Sequence, residues 1–216
     1  MSDTHSLSGS RVLVSGHIPP PMGGIAMFYK SLLESSLPQK VNLMFVQTSS
    51  HKRDLADAGK ASWANVVSAV QDCVRFFKAV LRHKPQVSHI ATAPGFSFLK
   101  HSLCVLIADL AGSKVLIHPH CSFAALYADM PGWWQAYVRF ILKRTDGLIA
   151  LSKEWEQIER VLPGLPVFLL PNAIKQDDYR LIARDRFSYL PTRSVKNVLY
   201  LGYLGKAKGT YDLVES

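Results

Sequence analysis

Two adjacent glycines, Gly23 and Gly24, follow the first predicted strand and open a helix. A backbone without Cβ atoms can approach a ligand closely, and the positive end of the helix dipole points the same way. An anion or a sugar hydroxyl suits that place, so both glycines are candidate ligand-binding residues. The alternative is that they only make a tight turn between strand and helix, and the sequence leaves both interpretations open.

His118, His120 and Ser152 are further candidates because each stands at the end of a predicted strand. Ligands of parallel sheets bind at the carboxyl ends of the strands, so one crevice can hold all three residues together with the glycines. Each residue also has a purely structural interpretation. A histidine at a strand end can serve only as a cap, and Ser152 can be the N-cap of the helix that follows.

Neither a nicotinamide cofactor nor a metal ion is predicted. The dinucleotide fingerprint needs G-x-G-x-x-G and an acidic residue at the end of the second strand. This loop instead has Gly16, a proline run and Gly23-Gly24, and the second strand ends near Gln47. No zinc or redox spacing is found among the three cysteines, which are Cys73, Cys104 and Cys121.

The composition is that of a globular protein with an ample core, at 48% hydrophobic and 19% charged residues. Its 216 residues suffice for one large domain, or for one domain and the start of another, at roughly 100 to 200 residues per domain. The polar N-terminus lacks the apolar stretch of a signal peptide, and the odd number of cysteines fits a reducing compartment. We therefore expect a cytoplasmic protein.

The formal net charge of +9 favours anionic partners. Phosphorylated substrates and anionic lipid surfaces fit this charge better than nucleic acid, because no basic run is interleaved with aromatic residues. We expect a peripheral contact with the inner face of the membrane and no nucleic-acid partner, although the same cations can be ordinary solvated side chains. The candidate membrane contacts are Lys78, Arg82, Lys84, Lys100, Arg139, Lys143 and Arg144.

Short apolar runs separated by helical patterns predict six strands before residue 175, at residues 12–14, 41–47, 87–92, 114–118, 147–151 and 167–170, and a further strand at residues 195–201. Strand and helix alternate along the chain, which predicts an α/β fold with a doubly wound parallel sheet. In the longest helix, apolar residues recur at spacings of three and four from Trp63 to Leu81. This spacing predicts one apolar face.

The predicted domain organisation has four parts. Residues 1–10 form a flexible leader, residues 11–174 a Rossmann-like domain, residues 175–194 a charged linker and residues 195–216 the incomplete start of a second Rossmann-like domain. The last part offers one strand and the first turns of a helix. Such a segment is too small to bury a core of its own.

Five motifs follow one another along the chain: PPPMGGIA after the first strand, HPHCSF after the fourth, GLIALSKEW, LPNAI and VLYLGYLGKAKGTYDL. Together they resemble the retaining, sugar-nucleotide-dependent glycosyltransferases of the GT-B fold, family 4. The resemblance covers essentially the whole chain after the leader. It implies two Rossmann-like domains facing a cleft, the first binding the acceptor and the second most of the sugar nucleotide, which is a substrate rather than a cofactor.

By this resemblance, Gly23 and Gly24 match the family's glycine loop near the donor phosphates and the acceptor. His120 matches a histidine near the transferred sugar and is the candidate catalytic residue, although Cys121 replaces the glycine that usually follows. His118 is the alternative match. We expect the two histidines to lie on opposite sides of the strand if the strand continues.

The resemblance also implies roles for residues further along the chain. Ser152 and Asn172 match substrate-binding positions, with Ala173 in place of the glycine that usually follows the asparagine. Lys208–Gly209 matches the lysine and glycine beside the donor diphosphate, where an ammonium offsets the charge of the leaving nucleotide. Tyr203 stands where the family has an arginine, and a phenol cannot supply that charge.

The implied function is retaining hexosyl transfer from a sugar nucleotide to a saccharide or lipid-linked acceptor in cell-surface polysaccharide biosynthesis. This chain would be the acceptor-side half. The alternative is a truncated or degenerate binding domain that needs a separate donor-domain chain. It is favoured because the acidic pair with which the family holds the nucleotide ribose and the sugar is not found in the sequence.

Overall fold

The computed structural model describes residues 9–20, 22–48, 63–172 and 211. The chain divides into two compact units, residues 1–174 and 175–216. Tyr211 is the described residue of the second unit. The predicted linker and all but this residue of the predicted second domain therefore lie outside the described residues, and the predicted domain organisation stays a prediction.

Strands and helices alternate through the described part of the first unit. The strands are β1 (Arg11–Gly16), β2 (Asn42–Gln47), β3 (Val87–Thr92), β4 (Lys114–Pro119), β5 (Gly147–Ala150) and β6 (Val167–Leu169). The α-helices are α1 (Gly24–Leu33), α2 (Leu37–Lys40), α3 (Trp63–His83), α4 (Phe96–Leu110) and α5 (Gly132–Leu142). A π-helix spans Ala124–Ala128, and a 3₁₀-helix spans Lys153–Arg160. The sequence pattern predicts all six strands but neither α2 nor the π-helix.

The strands form one parallel sheet in the order β2-β1-β3-β4-β5-β6. The fold is the predicted α/β fold with a doubly wound, Rossmann-like sheet. From β1 the chain runs outward to β2 and then returns past β1 to β3, so the strand order reverses between β1 and β3. A sheet of this kind binds ligands in the crevice outside the carboxyl ends of its strands at that reversal.

Helices cover the sheet from both sides. Because neighbouring strand residues point to opposite faces, Leu13 and Ile90 pack in the core beneath α3, α4 and α5, whereas Val14 and Ala91 pack against Tyr29 of α1. A strand covered on both faces needs apolar side chains in succession, which is why the strands read as apolar runs. The buried sheet is thus a rigid support for side chains at its carboxyl edge.

The predicted apolar face of the long helix α3 is not the side that packs on the sheet. Most of its apolar stripe faces solvent, and the stripe continues on the neighbouring helix α4, with exposed fractions between 38% and 83%. We call this surface the outer apolar face. Its members are Trp63, Val66, Val67, Val70, Val74, Phe77 and Leu81 of α3 and Leu99, Leu103 and Leu110 of α4.

A different side of α3 packs on the sheet. It carries Ala69, Phe76 and Val80, together with the polar residues Asn65 and Asp72, and all five are buried. These residues also recur at helical spacing, but the two polar side chains interrupt the pattern. The more continuous apolar stripe is therefore not the side of α3 that packs on the sheet.

Lys100, a predicted membrane contact, is instead buried between α3 and α4. Its ammonium donates to Asp72 Oδ2 at 3.2 Å and to the carbonyl of Thr48. The other carboxylate oxygen, Asp72 Oδ1, accepts from Arg75 at 2.9 Å. Burial of a charge is tolerated only when it is paired and hydrogen-bonded, so this contact allows Asp72 to lie on the packed side of α3.

Residues at the N-terminus also take part in the sheet. The Ser10 carbonyl accepts a hydrogen bond from the Asn42 amide at the start of β2, at 2.9 Å. The end of the predicted flexible leader is therefore ordered beside the sheet, while residues 1–8 lie outside the described part of the chain. None of the described helices is both long and apolar enough to cross a membrane.

Replacing Lys100 by methionine should destabilise the fold by about 3 kcal/mol, because the carboxylate of Asp72 and the Thr48 carbonyl then lose a buried donor. Urea unfolding monitored by circular dichroism measures the change. Lys30→Met removes an exposed lysine from α1 and should change the free energy of unfolding by less than about 0.5 kcal/mol. Equal stability of the two variants would contradict the importance of the ion pair.

Candidate functional site

The glycine pair lies where the sequence places it, at the start of α1 after the carboxyl end of β1. Gly23 is extended, with φ −176° and ψ 167°, and neither glycine has a positive φ. A Cβ at either position would meet no atom within 4 Å. The turn therefore does not require glycine for its conformation or its packing, and the first amides of α1 have no side-chain cap.

Three histidines lie together on neighbouring strands: His89 within β3, His118 near the carboxyl end of β4 and His120 directly after it. We call them the histidine cluster. The rings of His118 and His120 have their centroids 4.2 Å apart, and those of His89 and His118 are 5.3 Å apart. Residues two apart in a strand point to the same side, and the His120 amide continues the strand pairing by donating to the Thr92 carbonyl at 2.8 Å. The expectation that His118 and His120 lie on opposite sides is wrong.

A chain of hydrogen bonds connects Tyr29 of α1 to this cluster. The Tyr29 hydroxyl donates to the Ser15 carbonyl at 2.6 Å, so its oxygen can only accept from His89 Nδ1, which lies 3.3 Å away. His89 Nε2 lies 3.1 Å from His118 Nδ1. A neutral imidazole has one N–H, so His89 accepts at Nε2 and His118 donates from Nδ1. This assigns to His118 the tautomer with an unprotonated Nε2.

Phe28 brings α1 and the histidine cluster together. Its ring lies against all three imidazoles, with centroid distances of 5.8 Å to His89, 4.8 Å to His118 and 5.3 Å to His120. The helix that begins at the glycine pair therefore packs its first turns on the histidines. Two of the predicted site features, the glycine loop and the histidine pair, belong to the same edge of the sheet.

The histidine cluster is uncharged at neutral pH. Burial lowers the pKa of His89 to about 3, that of His118 to about 2 and that of His120 to about 4, because desolvation disfavours the imidazolium. Neighbouring histidines lower each value further, including His17 in the case of His120. Burial also keeps His101 of α4 neutral by lowering its pKa well below the usual value.

Two nitrogens of the cluster can form a further hydrogen bond. Among the described residues, the Nε2 atoms of His118 and His120 are buried without a hydrogen-bond partner. Buried polar atoms without partners are uncommon in proteins and each needs an explanation. A hydroxyl-bearing ligand supplies one, because a neutral imidazole can accept from a hydroxyl or donate to it. His120 is only partly buried and is the more accessible of the two histidines.

The loop that follows His120 is fastened to the 3₁₀-helix. Trp155 Nε1 donates to the Cys121 carbonyl at 2.8 Å, and the Ala124 amide donates to Glu154 Oε1 at 3.1 Å. Burial raises the pKa of the Cys121 thiol to about 12, so this side chain is not a thiolate. These contacts hold the backbone next to His120 in place. The carboxylate of Glu154 therefore makes a structural contact.

The remaining predicted site residues are not brought to the cluster by any hydrogen bond in the described part of the chain. Ser152 is exposed after β5 and occupies the N-cap position of the 3₁₀-helix without a side-chain capping bond. Asn172 is exposed shortly after β6. Lys208–Gly209 and Tyr203 lie outside the described residues. Among the described residues, no group of three or more histidine, cysteine or acidic side chains has the arrangement of a metal site.

Sequence reasoning misses three residues of the site: Phe28, Tyr29 and His89. The only sequence signal is a histidine within an otherwise apolar strand, VSHIAT, since a buried polar side chain needs a partner. That partner, Tyr29, is distant in the sequence and cannot be identified from spacing. The comparisons with known proteins add no family: no protein-family model matches the chain, and no curated protein matches it.

Alanine at Gly24 should leave the free energy of unfolding within about 0.5 kcal/mol of the wild type, because the added Cβ meets no atom. Gly16→Ala is the matched contrast, since its Cβ would overlap the ring of Tyr29. That variant should lose about 1–3 kcal/mol. Urea unfolding of both variants tests the pair. If Gly24→Ala loses as much stability as Gly16→Ala, the glycine pair serves only to form the turn.

Acidification should destabilise the protein through the buried histidines. Unfolded histidines take up protons near pH 6.5, whereas His89 and His118 remain neutral in the folded state until about pH 3 and pH 2. Below about pH 6.5 the unfolded state therefore binds more protons, and stability falls by about 1.4 kcal/mol per pH unit for each histidine. Urea unfolding at several values between about pH 7 and pH 5 measures this slope. His118→Asn should make it shallower, and an unchanged slope in that variant would contradict the assignment.

Proposed function

We propose that the chain is the acceptor-side domain of a retaining glycosyltransferase that uses a sugar nucleotide. The proposal rests on one observation above all: a buried, neutral histidine cluster packs against the helix that begins at Gly23 and Gly24, at the strand-order reversal of a doubly wound sheet. The five sequence motifs and their order support the same function. The acceptor is a saccharide or a lipid-linked saccharide of cell-surface polysaccharide biosynthesis.

Neutral imidazoles suit the recognition of a sugar. A hexose presents hydroxyl groups, each of which can donate and accept a hydrogen bond, and it carries no charge that would require an ionic partner. His120 would contact the transferred sugar through Nε2. His118 would lie behind it, with the tautomer that Tyr29 and His89 impose, and its unprotonated Nε2 would accept from a sugar hydroxyl.

The amides at the start of α1 suit an anion. They have no side-chain cap, and an anion close to a helix N-terminus is stabilised by the helix dipole. In the proposed reaction these amides bind a donor phosphate or an acceptor hydroxyl, while Ser152 and Asn172 line the acceptor side. Lys208–Gly209 would neutralise charge on the leaving nucleotide diphosphate.

A second candidate function is sugar binding without transfer. It is favoured by Tyr203, which stands where the resembled family has an arginine and cannot supply a positive charge to a diphosphate. In that case the same cluster and the same glycine pair bind a saccharide, and a separate chain would supply the donor-binding half. The two candidates share the binding site and differ in turnover.

Binding should be visible at the imidazole nitrogens. With ¹⁵N-labelled histidine, titration of a panel of nucleotide sugars and short saccharides should shift the His120 and His118 resonances and leave that of His83, on α3, unchanged. His120→Ala should weaken binding about fivefold, the loss of one hydrogen bond of about 1 kcal/mol. Gly24→Val should weaken it as well, while His83→Ala is the matched control.

Incubation of the same protein with radiolabelled nucleotide sugars and a cell-envelope lipid extract measures turnover. Transfer above a heat-inactivated control supports the glycosyltransferase and excludes a domain that only binds sugar, whereas an acceptor-side domain by itself is expected to bind without transfer. If no sugar or sugar nucleotide shifts the resonances of the histidine cluster, both candidates are wrong.

A further inference from the structure

The exposed charges beside the outer apolar face are positive. On α3 the exposed charged residues are Arg75, Lys78 and Arg82, and the acidic residue of that helix, Asp72, is buried against Lys100. Lys78 flanks the stripe, because a helical residue neighbours those three and four positions away, here Val74 and Leu81. Arg82 neighbours Lys78 in the same way. On the opposite side of the stripe, α3 adjoins α4. The Cys73 thiol of α3 contacts the Lys100 carbonyl of α4 there.

The apolar surface continues across the helical layer. Because α3, α4 and α5 pack on the same face of the sheet, their outward sides share one surface. The outward side of α4 contributes leucines, and its acidic residue, Asp109, is paired with Arg144 at 3.2 Å. Two exposed aromatic residues of α5, Trp133 and Phe140, extend the layer, and the Arg144 guanidinium lies 5.4 Å from the Phe140 ring centroid.

A contiguous apolar surface of this extent is unusual on a soluble monomer and marks an interaction site. We propose that the outer apolar face binds the surface of an anionic lipid bilayer, with α3 lying in the interfacial plane. Helices that bind in this way combine a stripe of tryptophan, phenylalanine and aliphatic residues with lysine and arginine beside it. The apolar side chains enter the acyl boundary, and Lys78 and Arg82 reach the lipid phosphates.

The charges favour a lipid surface over a second copy of the chain. A symmetric dimer through this face would bring the same cations of two copies close together, where like charges repel. An anionic bilayer neutralises them instead. This inference does not depend on the proposed glycosyltransferase function, because it rests on the exposed residues of α3 and α4 and not on the histidine cluster.

Vesicle co-sedimentation of the full chain tests the proposal. The protein should sediment with vesicles that contain phosphatidylglycerol, sediment little with phosphatidylcholine alone, and be released by salt. Phe77→Glu should abolish sedimentation, because it places an anion within the face. Leu170→Glu is the matched control, since both residues are 47% exposed and Leu170 lies outside the face. Replacing Lys78 and Arg82 by glutamine should weaken binding about fivefold for each charge removed.

Circular dichroism and thermal unfolding establish that each variant is folded. If Phe77→Glu unfolds the protein, tryptophan fluorescence replaces the comparison of Phe77→Glu with Leu170→Glu. Anionic vesicles should then shift the emission of the wild type and leave that of Val70→Ser unchanged. Equal sedimentation with both vesicle types, or an equal effect of Phe77→Glu and Leu170→Glu, overturns the proposal. The proposal is also overturned if the wild type does not bind vesicles but dimerises with increasing concentration, and Phe77→Glu removes the dimer.

Discussion

The site depends on the buried hydroxyl of Tyr29. This one group joins three elements: it donates to the Ser15 carbonyl of β1, accepts from the Ala91 amide of β3 at 3.3 Å, and belongs to α1. Burial raises its pKa above the usual range, so the phenol stays neutral and keeps its proton for Ser15. The ring fits only because Gly16 has no side chain. A glycine at the end of β1 thus fixes where α1 begins to pack.

The same hydroxyl sets the chemistry of the cluster. Because the Tyr29 hydroxyl donates to the Ser15 carbonyl, it accepts from His89, so Nδ1 of His89 carries the N–H. Nε2 of His89 is then an acceptor, and His118 donates to it from Nδ1. The hydrogen bonds of Tyr29 satisfy the Ser15 carbonyl, the Ala91 amide and Nδ1 of His89. Nε2 of His118 and of His120 has no partner among the described residues. Two imidazole nitrogens are thereby left able to form a further hydrogen bond, which is what the proposed sugar binding requires.

Local pattern predicts the sheet well and the helix packing poorly. All six strands follow from apolar runs, because a strand buried on both faces has few polar residues to obscure it. The packed side of α3 does not, because Asp72 and Asn65 lie there and Asp72 is stabilised by Lys100 of another helix. The site divides in the same way. His118, His120 and the glycine pair are found by their positions at element ends, whereas His89 and Tyr29 matter only through contacts across the sequence.

One end of the outer apolar face lies at the carboxyl edge of the sheet, the edge where His118 and His120 stand. Because β2, β3 and β4 are parallel, α3 and α4 must each carry the chain back from the carboxyl edge of the sheet to its amino edge. Both helices therefore begin at the edge that holds the histidine cluster. Trp63, which at 83% exposed is one of the two most exposed members of the outer apolar face, begins α3 at that edge. A bilayer bound at the outer apolar face would therefore lie on the α3 and α4 side of the sheet and reach its carboxyl edge at Trp63, whereas the histidine cluster lies on the α1 side.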